Sequence, residues 1–385
     1  MTRQRQMQQS TASAWPWRPG NEFEFLDDGV RFFARMLESI EAARAYVLLE
    51  LYLVNSGGIT TRFIETLSRA RSRGVRVCAM FDAFGALGLA RADRARLLAA
   101  GVELRFFNPL RLQNRLRNFR RDHRKLLLID GRLAFVGGAG LTDEFATGTG
   151  GEPPWRELMV QIAGPVVADW QSAFADTWRR CGDELSLAAQ PPAAPHPDGA
   201  VGRLALSEAR QRSVLANDVI RRFEAAGERA WVMSAYFVPS RRFRKALRRA
   251  ARRGVDVRLL LPGERTDHPW VRQAARRFYG KLLRNGVRIF EYQPRMLHSK
   301  MILCDEWVSI GSSNLDRWSF RWNLEANQEI ADRRASDAAA ALFAADFAVS
   351  LELSRRYWRE RAWLDRLRER IAGALDRWLD RWRGP

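Results

Sequence analysis

Apolar residues in this chain fall into short unbroken runs separated by longer basic amphipathic stretches. The runs at 47–54, 75–81, 231–238 and 255–261 read as buried strands. Those at 75 and 255 each follow a basic helical stretch that stops at glycine, in Arg73-Gly74-Val75 and Arg253-Gly254-Val255, as helix ends commonly do. Two further runs, 126–129 and 301–304, are apolar throughout, which suits strands covered on both faces. Helices alternating with strands predict an α/β sheet sandwiched by helices. The arrangement occurs twice. Gly74 and Gly254 lie 180 residues apart, Gly101 and Gly286 185, and His123 and His298 175, a steady offset that argues for duplication. A Pro/Ala-rich stretch at 188–200 separates the copies. The expected division is a disordered tail at 1–20, a first domain at 21–187, a linker at 188–202, a second domain at 203–350 and a C-terminal amphipathic helix at 351–385.

One short motif is shared by the two halves. Residues 123–130 read His-Arg-Lys-Leu-Leu-Leu-Ile-Asp and 298–305 read His-Ser-Lys-Met-Ile-Leu-Cys-Asp. Both are His-x-Lys-x-x-x-x-Asp. Only four of the 64 basic residues are lysines, yet Lys125 and Lys300 occupy the matched positions. On an extended chain, residues two apart share a face, so each strand presents an imidazole and an ammonium together. Two such strands predict one pocket for a phosphodiester. One histidine attacks phosphorus, the second protonates the leaving alcohol and activates the incoming one, and the lysines neutralise the phosphoryl oxygens. No His/Cys/carboxylate cluster has metal-ligand spacing, so neither metal nor cofactor is expected.

The duplicated motif resembles the HKD motif of the phospholipase D superfamily. The likeness extends over roughly residues 15–350 and includes 155–165, 235–239 and 311–327, which look like bacterial cardiolipin synthases, in particular short ones without an N-terminal membrane domain. The resemblance implies two tandem phospholipase D-like α/β/α sandwich domains with the active site at their interface. It implies a phosphohistidine intermediate, with His123 as nucleophile and His298 as acid/base. The implied catalytic set is His123, Lys125, Asp130, His298, Lys300 and Asp305, with Asp130 and Asp305 supporting the pocket. Asn314, preceded by Ser312, is implied at the phosphate. Glu157 and Glu325, 34 and 27 residues after the histidines of their own halves, stand about where the family has an acidic residue that fixes a histidine tautomer. The first half departs from the pattern at Gly140, where asparagine is usual. The implied reaction is transfer of a phosphatidyl group between phospholipids, with phosphatidylglycerol the expected donor and phosphatidylethanolamine a second candidate. A phospholipase D hydrolase, a nuclease or a non-catalytic binder of anionic lipid or nucleic acid are the alternatives.

Net charge sharpens this picture. At +20 the chain is drawn to polyanions, and Arg111, Arg115, Arg117, Arg120, Arg121 and Arg124 suggest a basic approach to His123. No run of 18 apolar residues occurs, so no transmembrane helix is expected, and the polar N-terminus lacks a signal-peptide core. Three scattered cysteines suit reduced thiols. A peripheral place on the cytoplasmic side of a bacterial inner membrane follows as an expectation. At the C-terminus Leu364, Leu367, Ile371, Leu375, Trp378, Leu379 and Trp382 recur at helical spacing. That face either packs on the domains or lies in a membrane interface, although Asp365, Glu369, Asp376 and Asp380 dilute its positive charge.

Overall fold

The computed structural model describes residues 15–111, 118–207, 214–316, 322–363, 367–369 and 371–374. The first half supplies strands β1 (Arg18–Asp27), β2 (Tyr46–Leu51), β3 (Arg76–Asp82), β4 (Glu103–Phe107), β5 (Arg121–Asp122), β6 (Lys125–Ile129), β7 (Leu133–Gly137) and β8 (Leu158–Ala163). The second supplies β9 (Ala200–Ser207), β10 (Arg229–Met233), β11 (Phe237–Val238), β12 (Asp256–Pro262), β13 (Arg288–Tyr292), β14 (Met301–Cys304), β15 (Trp307–Gly311), β16 (Leu315–Asp316), β17 (Asn323–Ala331) and β18 (Ser350–Glu352).

Strand order in the first half is β1-β8-β7-β6-β2-β3-β4, and in the second β9-β17-β15-β14-β10-β12-β13-β18. The two orders match strand for strand, with β18 added at the second edge. β2, β3 and β4 are parallel, as are β10, β12 and β13. The motif strands β6 and β14 run antiparallel to them. Each motif strand therefore begins where the parallel strands end, at the carboxyl edge where open α/β sheets bind ligands. β1 pairs with β9 and joins the halves into one continuous sheet.

Alternation explains the layers. Leu126 and Leu128 face one side of β6 and Leu127 and Ile129 the other, and all are buried. One side packs into a core shared by both halves, filled by Trp170, Phe174 and Trp178 of helix Val167–Arg180 and by Phe343 and Phe347 of helix Arg333–Ala348. The opposite sides form two separate cores under the outer helices of each half. The shared core is also tied by polar groups, since Trp170 Nε1 of the first half donates to Gln328 Oε1 of the second at 2.8 Å.

The expected boundaries shift where strand pairing overrides composition. β1 begins at Arg18, inside the stretch expected as tail, because its backbone pairs with β9. β9 begins at Ala200, inside the expected linker, for the same reason. The region expected as a C-terminal helix opens instead with β18, which pairs with β13, and continues as the short helix Arg355–Glu360. Leu364, Arg366, Arg370 and residues 375–385 lie outside the described residues, as do 1–14. In the described part of that tail Ala372 packs on Val238 and Ala274, and Glu369 binds Arg361 at 2.6 Å. This part of the tail rests on the second half. Among the described residues no helix is long and apolar enough to cross a membrane.

Asp130 and Asp305 end the motif strands but stand far from the histidines. Five residues of strand, about 16 Å, separate Lys125 from Asp130. The Asp130 carboxylate accepts from the backbone N–H groups of Arg44, Ala45 and Tyr46 at 2.8–2.9 Å. Asp305 repeats this with Gly227, Glu228 and Arg229 at 2.9–3.0 Å. Both adopt left-handed backbone, φ 52° and 50°, which aspartate tolerates better than most residues. The reading of these aspartates as pocket supports is therefore corrected: they turn the hairpins and anchor the first strand of each parallel set at the opposite edge. Asp305→Ala is expected to cost about 2–4 kcal/mol in chemical denaturation while the folded variant keeps the activity of the parent per folded molecule.

Candidate active site

The two motifs meet at the junction of the halves. A cavity of about 400 Å³ is lined by His123 and Lys125 from the first motif and by His298 from the second, with Tyr52, Phe145, Trp155, Tyr236, Asp267 and Asn314 around them. Lys300 lies beneath His298, its Nζ 2.7 Å from Nδ1 and 3.2 Å from Nε2. Each lysine folds back on its own motif. Lys125 Nζ donates to the His123 carbonyl at 2.6 Å, and Lys300 Nζ donates to the His298 carbonyl. The two-residue spacing thus does put imidazole and ammonium on one face.

The carboxylates arrive from the opposite half. His123 Nδ1 is 3.0 Å from Oε2 of Glu325, and His298 Nδ1 is 2.5 Å from Oε2 of Glu157. Counting forward within each half associated each glutamate with the wrong histidine. The crossing is enforced by backbone. His123 N–H donates to the Leu324 carbonyl at 3.0 Å, and His298 N–H donates to the Arg156 carbonyl at 2.8 Å. β5 pairs with the start of β17, and Leu297 bridges to Arg156. The residue before each glutamate therefore grips the histidine that the glutamate serves. A carboxylate on Nδ1 favours the tautomer with its proton there and leaves the Nε2 lone pair for chemistry.

The two sides are built differently. Ser312 Oγ donates to Glu325 Oε2 at 2.5 Å, and Asn323 Nδ2 donates to Glu325 Oε1 at 3.3 Å. At the matching place in the first half Gly138 passes so close that a Cβ would fall 2.3 Å from Glu157 Oε2. Gly140, in register with Asn314, would set a Cβ 2.7 Å from the Leu53 carbonyl oxygen. Asparagine is absent there because Leu53 occupies its space. Asn314 is buried, and its Oδ1 accepts from Tyr236 N–H at 3.3 Å.

Electrostatics follow from burial. Desolvation, aided by Lys300, pulls His298 down to about 4. Desolvation also lowers His123, against the pull of Glu325. Burial drives Lys125 down to about 7 and lowers Lys300. Burial alone would raise Glu157, but Lys300 and the His298 hydrogen bond outweigh it and hold the carboxyl below its ordinary value. Both imidazoles are thus largely neutral at pH 7.

Other expected residues fall elsewhere. Arg121 is buried against Asp82, and Arg124 is buried with Thr177 and near Glu50. They are internal ties and not part of a basic approach, because β5 and β6 draw them inside. Arg111 and Arg120 line a separate cleft beside Phe106, and Arg115 and Arg117 lie outside the described residues. His196 meets Glu22 at the surface, 3.0 Å away. His268, on the loop after β12, lines the cavity. Tyr52, Phe145, Trp155, Tyr236 and Asp267 were not anticipated. Tyr52 and Tyr236 carried a usable signal, since they lie 184 residues apart, within the range of the repeat offset. Among the described residues no cluster of potential ligands is placed to hold a metal ion.

Two outcomes follow. Nitrogen NMR of Glu157→Gln is expected to perturb the ring of His298 and leave that of His123, 34 residues before it in the same half, essentially unshifted. Lys125 has an ordinary value of 10.5 and a folded one near 7, so between these values the unfolded chain binds more protons. Its stability penalty is full below about pH 7 and fades as pH rises towards 10.5. Lys125→Met is expected to stabilise the fold by about 2–4 kcal/mol near pH 6, with the gain shrinking on the alkaline side.

Comparison with known proteins identifies the family. The family model described as "Cardiolipin synthase, PLD-like domain" matches residues 36–178 and 219–347. Cardiolipin synthase A of Pseudomonas putida (strain W619) is 35% identical over 341 residues, covering 88% of this chain and 71% of that protein. Cardiolipin synthase A of Pseudomonas aeruginosa (strain LESB58) is 33% identical over 359 residues, covering 93% and 73%. In fold, the crystal structure of phosphatidylserine synthase from Haemophilus influenzae Rd KW20 superposes with TM-score 0.71 over 93% of each chain at 13% identity. The duplicated sheet, the paired motifs and these relatives together place the chain in the cardiolipin synthase family of phospholipase D-like proteins.

Proposed function

We propose that the protein is a phosphatidyltransferase of the cardiolipin synthase type. The observation that carries this reading is the pair of imidazoles on one cavity, each with Nδ1 on a buried glutamate, in a chain 33–35% identical to cardiolipin synthase A proteins. His123 Nε2 attacks the phosphorus of a phosphatidylglycerol. The bond from phosphorus to the glycerol headgroup breaks, and His298 gives its proton to the departing oxygen. A hydroxyl of a second phosphatidylglycerol then attacks the phosphohistidine and passes its proton to His298. The phosphorus–nitrogen bond breaks and cardiolipin is released. Phosphatidylethanolamine serves as a second donor. Two in-line displacements retain configuration at phosphorus.

Lys125 and Lys300 offset the charge on the phosphoryl oxygens. With Oδ1 of Asn314 bound to Tyr236 N–H, its amide N–H groups are the ones offered to a phosphoryl oxygen. An anionic phosphate entering the cavity also raises the depressed values of the lysines and of the histidine that must carry a proton. The net charge of +20 suits peripheral association with anionic lipid at the cytoplasmic face of the inner membrane.

The pH dependence has a definite sign. Turnover requires one proton shared by the histidine pair, and both imidazoles lie below the ordinary 6.5. Lys125 sheds its charge near 7. Both effects act together, so kcat/KM for phosphatidylglycerol is expected to fall as pH rises from roughly 6 to 8. The decisive experiment is mass spectrometry of lipid products from phosphatidylglycerol vesicles, with and without phosphatidylethanolamine. Cardiolipin from the parent and none from His123→Ala or His298→Ala is expected. Phosphatidic acid alone would replace this reading by a hydrolase. No lipid product, with salt-dependent DNA cleavage instead, would replace it by a nuclease.

A further inference from the structure

The cavity is chemically polarised. Beyond Tyr52, His123 and Lys125, the first half contributes, among the described residues, only Gly138 and Gly140, without side chains, and the apolar Leu53, Phe145 and Trp155, while the second half adds Val238 and Val271. The second half contributes carboxylates. Asp267, on the loop after β12, and Asp316, in β16, both line the cavity. Neither has an equivalent across the repeat. Thr142 stands in register with Asp316, each two residues after the matched Gly140 and Asn314. The loop after β3, residues 83–90, carries no acidic residue.

Carboxylates are poor company for a phosphodiester, because like charges repel strongly where water is scarce. They are good acceptors for hydroxyl hydrogens. Tyr236 links them to the chemistry. Its hydroxyl donates to Asp267, its ring lies 6.3 Å from that of His298 in an edge-on contact, and it packs at 5.4 Å against His268. Burial and Asp267 push its phenol up, so the hydroxyl keeps its proton and its oxygen remains able to accept. Tyr236 thus reaches one imidazole, His298, whose ring also meets Phe145 at 5.2 Å and Trp155 at 5.3 Å.

We infer that Asp267, Asp316 and Tyr236 form a polyol subsite, holding the hydroxyls of the alcohol that leaves phosphorus beside His298 and of the alcohol that later takes its place. The inference rests on the phosphatidyl-transfer reading above and adds the chemical class selected: a neutral alcohol rich in hydroxyls. In-line displacement requires the nucleophile opposite the leaving oxygen, which puts attack on His123, in agreement with the roles given above. The same subsite serves both half-reactions, because the acceptor hydroxyl must reach the position the headgroup vacated. No extra reactant is needed: each proton lost by an incoming hydroxyl returns to His298.

The test uses the full chain with a p-nitrophenyl phosphatidyl ester, whose leaving group needs no polyol contact. Glycerol and propanol compete at equal concentration, with ethanolamine in a parallel arm, and the phosphatidyl alcohols are counted by mass spectrometry. Asp267→Asn is expected to lower the ratio of glycerol product to propanol product by about tenfold or more, and Tyr236→Phe to lower it in the same direction. The ratio cancels any general loss of folded enzyme. A ratio within about twofold of the parent in both variants would overturn the subsite. So would a loss confined to ethanolamine, which would mark the wall as a cation site. A parent that releases nitrophenol to water alone, and makes no phosphatidyl alcohol, would instead sink the transfer reading itself.

Discussion

Each motif imidazole is held by a carboxylate from the other half of the chain, and most of the architecture answers to that exchange. For Glu325 to reach His123, β17 must lie against β5. For Glu157 to reach His298, Arg156 must bridge to Leu297. A hinge between the halves would break both contacts together. The continuous sheet, the shared core around Trp170 and Phe343, and the bond from Trp170 to Gln328 remove that freedom. An active site shared between two halves makes strong demands on their relative position, since small misplacements of reacting groups are costly.

The second demand is charge. Two lysines and two glutamates are buried together around two imidazoles, and every one of these charges is held away from water. The cost is visible in the depressed lysines and histidines. Such a site trades stability for readiness.

Much of this was legible in the sequence, and the limits are physical. The alternation of His123 with Lys125 and His298 with Lys300 is local, and local geometry follows from residue spacing. The duplicated strand order follows from the repeat offsets. The crossing of Glu157 and Glu325 is non-local. Counting residues forward from each histidine cannot show which half will lie across from it. Asp130 and Asp305 misled for a related reason: a motif is contiguous in sequence, but a strand carries its two ends to opposite edges of a sheet. Arg121 and Arg124 read as surface charge because composition does not show that β5 is drawn in by β17. The bare first-half wall was half visible. Gly140 stood out as a departure, while the reason for it, the proximity of Leu53, required coordinates.

The exchange of glutamates has an evolutionary consequence. In a duplicated gene the two copies normally drift apart independently, each free to decay once the other suffices. Here neither copy is complete without the other, so damage to one strand disables the histidine of its sibling. The copies differ in how they support the exchanged groups: Gly138 lies against Glu157 where Ser312 donates to Glu325. The two walls differ around a centre that each copy completes for the other.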